Sequence, residues 1–231
     1  ADVPDLIADE RTSEIDALTA TTVAEIRDAV HTLERGLLDH VEGKALNDLR
    51  SRVRRSEAWT GFRAALAAIL ERSARRGASS AAALHSTIGL DAEIDYDKLT
   101  QDIVYRKGGV NQIVNNFRDA VAKNLAATLK EGGDRKELEA AIRASMDTWR
   151  DGHAETVAMT EAVHAFNEAT LAVAEANGAT TVRVTDGHDD DEPCIQADGA
   201  TWEIPFAREH RLEHPRCRRA FLPILPVAST A

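Results

Sequence analysis

The chain has 231 residues, of which 43% are hydrophobic and only 4% aromatic, and it carries a formal net charge of −11. That is enough apolar material for one large domain or a domain with an appendage, and an Ala-rich, aromatic-poor composition favours closely packed helices over a β-sandwich. Acidity argues against a protein that coats DNA, no apolar run approaches the roughly 18 residues of a membrane span, no leader pattern opens the chain, and two cysteines are too few for a disulfide scaffold.

The pattern points to a soluble protein made in a reducing cytoplasm. Ile15, Leu18, Thr22, Ile26, Val30, Leu33, Leu37 and Val41 recur every three or four residues, one face of a long helix. Gly36 is expected to kink it and Gly43 to stop it. Residues 44–56 and 57–76 continue as helix, with Trp59, Phe62, Leu66, Ile69 and Leu70 as the buried stripe. Gly77-Ala-Ser-Ser80 reads as a break, followed by a short helix over Ala81–Ile88 and another over Asp95–Tyr105. After Gly108-Gly109, the line from Val110 through Phe117 to Leu129 predicts a long amphipathic helix that stops at Gly132-Gly133. Asp134 and Glu137 have capping-box spacing, and Leu138, Ile142, Met146 and Trp149 face inward on the helix they open. Gly152 is expected to separate that helix from a last one, His153–Ala176, with Val157, Val163, Phe166 and Val173 as its apolar line and Asn177-Gly178 as its end.

Charge is uneven along this helical region. Residues 1–42 hold eleven acids and three bases, whereas residues 44–77 hold nine bases and three acids. Two solvated faces that pair with each other account for the split. So does a basic patch of Arg50, Arg52, Arg54, Arg55, Arg72, Arg75 and Arg76 that meets an acidic partner or nucleic acid. Only Trp59 and Phe62 interleave with those arginines, which leaves little for a base-stacking platform.

After Gly178 the period changes. Thr181–Thr185 alternates and is β-branched, the mark of a strand. Asp198-Gly199 reads as a hairpin turn between Cys194-Ile-Gln and Thr201–Ile204, and Ala220–Leu225 as a terminal strand that Pro223 confines to an edge. A unit of this size, residues 179–226, needs a staple or a dock. Trp202, Ile204, Phe206, Phe221, Leu222 and Ile224 are its expected small core, closed by Val163 and Phe166 of the preceding helix. The same stretch holds both cysteines, and Asp191-Glu-Pro-Cys194 and His214-Pro-Arg-Cys217 are two pairs at zinc-ligand spacing. Cys194, His214 and Cys217 are therefore expected to lie side by side with or without a metal, and they are the expected ligands if a structural zinc binds, with Asp191 or His188 as the fourth. Buried apolar thiols, or a Cys194–Cys217 disulfide, are the alternatives.

The order of these pieces is specific. A helix carrying Ala154-Glu-Thr-Val-Ala-Met-Thr-Glu161 and Ala165-Phe-Asn167 precedes a Gly, a strand, an Asp-rich turn, a Cys and an Asp-Gly. His214-Pro-Arg-Cys-Arg-Arg219 and Leu222-Pro223 then close the series. From about Ser145 to Pro223 this resembles the Mu-F-like phage head-morphogenesis family, the minor head proteins of tailed bacteriophages. Ala197 stands where that family often has a partner for Cys194, and Arg219 where it often ends in Cys. The resemblance implies residence in the virion at the head interior or portal vertex after assembly in a bacterial cytoplasm. It also implies contact with portal, capsid or scaffold proteins and with packaged DNA, and copies of the chain could pair with each other. No reaction is implied, and the chain has no His-Glu-x-x-His, Gly-rich phosphate loop or nucleophile elbow. A metal-dependent nucleic-acid-binding or processing protein, built on the basic patch and the Cys/His cluster, is the reading from another class. The expected fold is mainly α: a long-helix region over 1–144 and a module over 145–231 that pairs the 153–176 helix with a small β unit.

Overall fold

The computed structural model describes residues 3–42, 46–106, 108–186 and 192–225. The fold is mainly α with a small antiparallel sheet near the C-terminus. Helices α1 (Val3–Val41), α2 (Leu49–Arg55), α3 (Ala58–Ser86), α4 (Tyr96–Val104), α5 (Val110–Lys130) and α6 (Arg135–Thr148) lead to a single π-helical turn, Trp149–His153. Then follow α7 (Ala154–Ala176), β1 (Thr181–Thr185), α8 (Glu192–Ala197), β2 (Thr201–Glu203), α9 (Ile204–Glu209) and β3 (Ala220–Ile224). The chain packs as two compact units, one of Ala1–Ala20, Glu71–Ile103 and Thr156–Ala231, the other of Thr21–Leu70 and Val104–Glu155. The division expected at 144/145 follows the resemblance; by packing, the segment from 156 onward belongs with 1–20 and 71–103.

The unit of Thr21–Leu70 and Val104–Glu155 gathers the aromatics the stripes predict. Phe117 stacks on Trp149 at 4.8 Å, and Phe62 meets both edge-on. The Trp59 indole N–H donates to the Val53 carbonyl at 2.8 Å, so the one polar atom of that ring is satisfied inside the core. α1 runs on unbroken through Gly36: a Cβ there would lie 3.0 Å from that of Ala58, so the glycine lets two helices approach. Asp134 and Glu137 close both halves of the capping box, at 2.9 and 2.8 Å. Gly152 interrupts nothing, because the π turn carries the helical backbone past it. Glu34 of α1 is neutralised by Arg150 at 2.6 Å and Arg143 at 3.5 Å. Burial works against the Arg150 charge, but hydrogen bonds to Glu34 and Asp147 outweigh it and leave the guanidinium pKa raised.

The other unit is built around α7. Instead of one apolar line, this helix is buried on nearly every face, with Ala158, Ala162, Val163, Ala165, Phe166, Asn167, Ala169, Leu171 and Ala174 all out of solvent. Its many alanines give neighbouring elements a close approach. Gly77 is the counterpart on α3. The break expected at Gly77-Ala-Ser-Ser80 is absent, and α3 runs on to Ser86. The glycine is there because a Cβ would meet that of Ala165 at 2.8 Å, with Leu18 at 3.3 Å.

The sheet has the order β2-β1-β3, with both pairings antiparallel. Pro223 therefore sits on an edge strand, opposite Val182, where its missing N–H costs no ladder bond on the solvent side. The hairpin expected at Asp198-Gly199 is not formed. Cys194 lies on α8, and Asp198-Gly199 ends that helix: Asp198 N–H donates to Cys194 O at 3.0 Å and Gly199 adopts φ +75°. The Gly199 N–H then reaches Val184 O at 3.0 Å, so the turn joins the middle of the sheet. The small core differs in part from expectation. Ile204 and Phe221 are buried with Val182, Val184 and Ala207, and Trp202 packs on their rim, but Phe206 is 47% exposed and Ile224 37%. Leu171 and Ala174 of α7 close it, whereas Val163 and Phe166 serve a neighbouring cluster with Ile15, Leu18 and Ala78.

The close approach of α3 and α7 makes a direct forecast. Gly77→Ala overpacks the contact with Ala165 and should cost about 1–3 kcal/mol. Thermal denaturation followed by circular dichroism should show a lowered Tm; an unchanged or raised Tm contradicts this reading of the glycine.

Candidate metal centre

His214-Pro-Arg-Cys217 forms a tight turn: the Cys217 N–H donates to His214 O at 3.1 Å, and Arg216 sits at φ +68°. A positive φ at the third position is what a type II turn requires, and Pro is common at the second. A non-glycine residue there is strained by about 1 kcal/mol or more. Two hydroxyls of α7 hold it: the Arg216 guanidinium donates to Thr156 Oγ1 at 3.1 Å and its backbone N–H to Thr160 Oγ1 at 3.3 Å. The turn points His214 and Cys217 at Cys194 on α8.

The three ligand atoms lie within 4.8 Å of one another, as the spacing predicts. Cys194 Sγ is 3.9 Å from Cys217 Sγ and 3.4 Å from His214 Nε2. A tetrahedral zinc with ordinary bond lengths needs about 3.8 Å between two sulfurs and about 3.5 Å between sulfur and nitrogen. Both thiols are fully buried, and no disulfide joins them. Burial pushes the Cys217 thiol pKa up. His214 Nδ1–H donates to Pro215 O at 2.8 Å, which leaves Nε2 as the lone-pair nitrogen facing the sulfurs. A backbone carbonyl holding the far nitrogen of an imidazole is the arrangement that orients histidine toward a metal. His188 and Asp191, expected as alternatives for the fourth ligand, lie outside the described residues.

Residues without an expected role at the cluster surround it. Asp186, at the end of β1, accepts the Cys217 thiol at 3.7 Å through Oδ1 and Arg219 Nε at 2.6 Å through Oδ2. Both side chains are almost wholly buried, at 0% and 1% exposure. Arg219 also donates to His210 O at 2.8 Å and lies 5.0 Å from the centre of the Trp202 ring. Burial lowers the pKa of its guanidinium, but the Asp186 hydrogen bond and charge outweigh that and leave it raised. The Arg219 carbonyl accepts from Asn167 Nδ2 at 2.9 Å and from Arg11 at 2.8 Å, and Asn167 gives its second N–H to Arg211 O at 3.1 Å. Arg11, drawn down to about 10 by burial and by the neighbouring Arg218, thus ties the start of the chain to its end. Asn167 stood in the recognisable Ala165-Phe-Asn string, but only burial exposes its role as a two-way donor. Arg219 had one signal: a charge set directly against the apolar Ala220–Leu222.

The arginines of the expected basic patch are divided between the two units. Arg50, Arg52, Arg54 and Arg55 belong to one compact unit and Arg72, Arg75 and Arg76 to the other. Arg52 pairs with Asp48 at 2.9 Å, Arg54 with Asp119 of α5 at 3.0 Å, Arg55 with Ser51 at 2.6 Å and Arg75 with Asp97. These are exposed pairs of small energetic weight.

No family model matches the chain, and neither a curated protein nor a solved structure matches it significantly.

A cluster of three ligands, two of whose spacings match a zinc site, should take up one ion per chain. Protein purified without chelator should contain one zinc, and at free zinc 100-fold above the Kd the ion should add about 2.7 kcal/mol of stability. Cys194→Ser and Cys217→Ser should each abolish that gain. Metal analysis with melting curves decides it: no zinc, and melting unchanged in both variants, would reduce the cluster to ordinary packing.

Proposed function

We propose that this chain is a minor head protein of a tailed bacteriophage, and that zinc held by Cys194, His214 and Cys217 is a structural staple in it. The observation that carries this reading is a convergence. The strings that bear the family resemblance lie far apart in sequence, yet their residues meet: Thr156 and Thr160 hold Arg216, and Asn167 holds Arg211 and Arg219. Cys194 meets His214 and Cys217 in the same unit. A motif whose members brace one another is read most simply as architecture. Both thiols are closed to solvent, which suits a staple and leaves no room for a substrate.

On this reading the chain is not an enzyme. Its partners are the portal, capsid or scaffold proteins of the same phage, with packaged DNA as a further contact, and its place is the head interior or portal vertex. The exposed, internally paired arginines favour protein contacts over duplex binding.

Heads purified from the phage that encodes the chain should contain it at far fewer copies than the major capsid protein, and deleting its gene should lower the yield of infectious particles. Quantitative mass spectrometry and plaque counts measure both. Absence from heads with a normal particle yield would refute the proposal. Metal-dependent cleavage of nucleic acid, lost on chelation, would favour the processing reading.

A further inference from the structure

Three ligands do not complete a structural zinc site, which takes four. Asp186 is not among the three whose ligand atoms lie within 4.8 Å of one another, but its Oδ1 is 3.7 Å from one of them, Cys217 Sγ. Its carboxylate is fully buried, and its backbone is pinned, with the N–H donating to Asp198 Oδ1 at 2.8 Å. Oδ2 is committed to Arg219 at 2.6 Å, while Oδ1 is held only weakly, by the Cys217 thiol at 3.7 Å.

Metal binding removes that partner. Zinc binds cysteine as the thiolate, so Cys217 gives up the proton it donates. Oδ1 is then a buried anionic acceptor without a donor, a costly state in a dry interior. The cation that took the proton's place relieves it. The distance suits this: a tetrahedral zinc needs about 3.6 Å between a thiolate sulfur and a carboxylate oxygen, close to the 3.7 Å observed. Charge also closes. Zn²⁺, two thiolates, a neutral imidazole, one carboxylate and the Arg219 guanidinium sum to zero, and two protons leave to solvent. Without Arg219 the same ligand set would bury a net negative charge, which low-dielectric surroundings penalise.

We propose that zinc loading recruits Asp186, through Oδ1, as the fourth ligand, and that Arg219 is the counter-charge that makes this ligand set neutral. This rests on the zinc reading of Cys194, His214 and Cys217. Cobalt(II) is the probe, because its visible bands report the ligand set. Cobalt-loaded wild type should show tetrahedral bands with thiolate charge transfer. Asp186→Asn should keep the charge transfer, shift the ligand-field bands and bind zinc at least about 10-fold more weakly. Unchanged bands, with or without a loss of affinity, would overturn the proposal.

Because Asp186→Asn leaves Arg219 buried without its partner and the unit could fail to fold, a gained ligand supplies the second arm. Zinc X-ray absorption should count two sulfurs in wild type and three in Asp186→Cys; two sulfurs in both would overturn the assignment. Wild type that takes up neither metal would bring down the zinc reading itself, a result distinct from a metal centre that ignores residue 186.

Discussion

The unit that holds the C-terminus depends on one buried ion pair, Arg219 with Asp186 at 2.6 Å. Such a pair stabilises little in itself, since withdrawing two charges from water offsets most of their attraction. Its weight lies in what would follow from losing either partner: a lone buried charge costs about 3–5 kcal/mol. Everything near it is consequently arranged to keep both partners in place. Asp186 is fixed by Asp198 and reaches Cys217; Arg219 is fixed by His210 O and the Trp202 ring. The Arg219 carbonyl then receives α7 through Asn167 and α1 through Arg11. One residue, through its side chain and its carbonyl together, thus joins the sheet, the cysteine cluster, the central helix and the start of the chain.

That geometry supplies contacts that so short a β module cannot make within itself. Its three strands have a small apolar core, and Phe206 and Ile224 contribute little because they are substantially exposed. The deficit is met from outside the sheet. α7 supplies Leu171 and Ala174 below it, and Glu168 and Glu175 take Arg208 and Arg211. The strained Arg216 is tolerated for the same reason, because Thr156 and Thr160 hold it where the turn needs it. A zinc ion would add a further tie between α8 and the His214–Cys217 turn.

Much of this was legible in the residues, and the exceptions share a cause. Stripes of period 3.6 found α1, α5 and α6, the capping box marked the start of α6, and Pro223 put β3 on an edge. Ligand spacing marked Cys194, His214 and Cys217 as neighbours, and the fold brings them together. Local signals failed where tertiary packing overrode them. Gly77 looked like a break but serves a helix contact; Asp198-Gly199 looked like a hairpin but ends α8. α7 hid its burial because alanine carries almost no periodic signal. Asp186, Asn167 and Arg219 were invisible as a group, for a polar residue declares its role only through a partner distant in sequence.

Amide hydrogen exchange of Arg219→Met tests the central dependence most directly. Methionine fills much of the arginine's volume but leaves Asp186 unpaired. If the ion pair organises the unit, protection should fall together in β1, in the segment from α9 to Cys217 and in α1 around Arg11. Loss confined to the neighbouring residues of β3, with those other segments as protected as in wild type, would contradict the account.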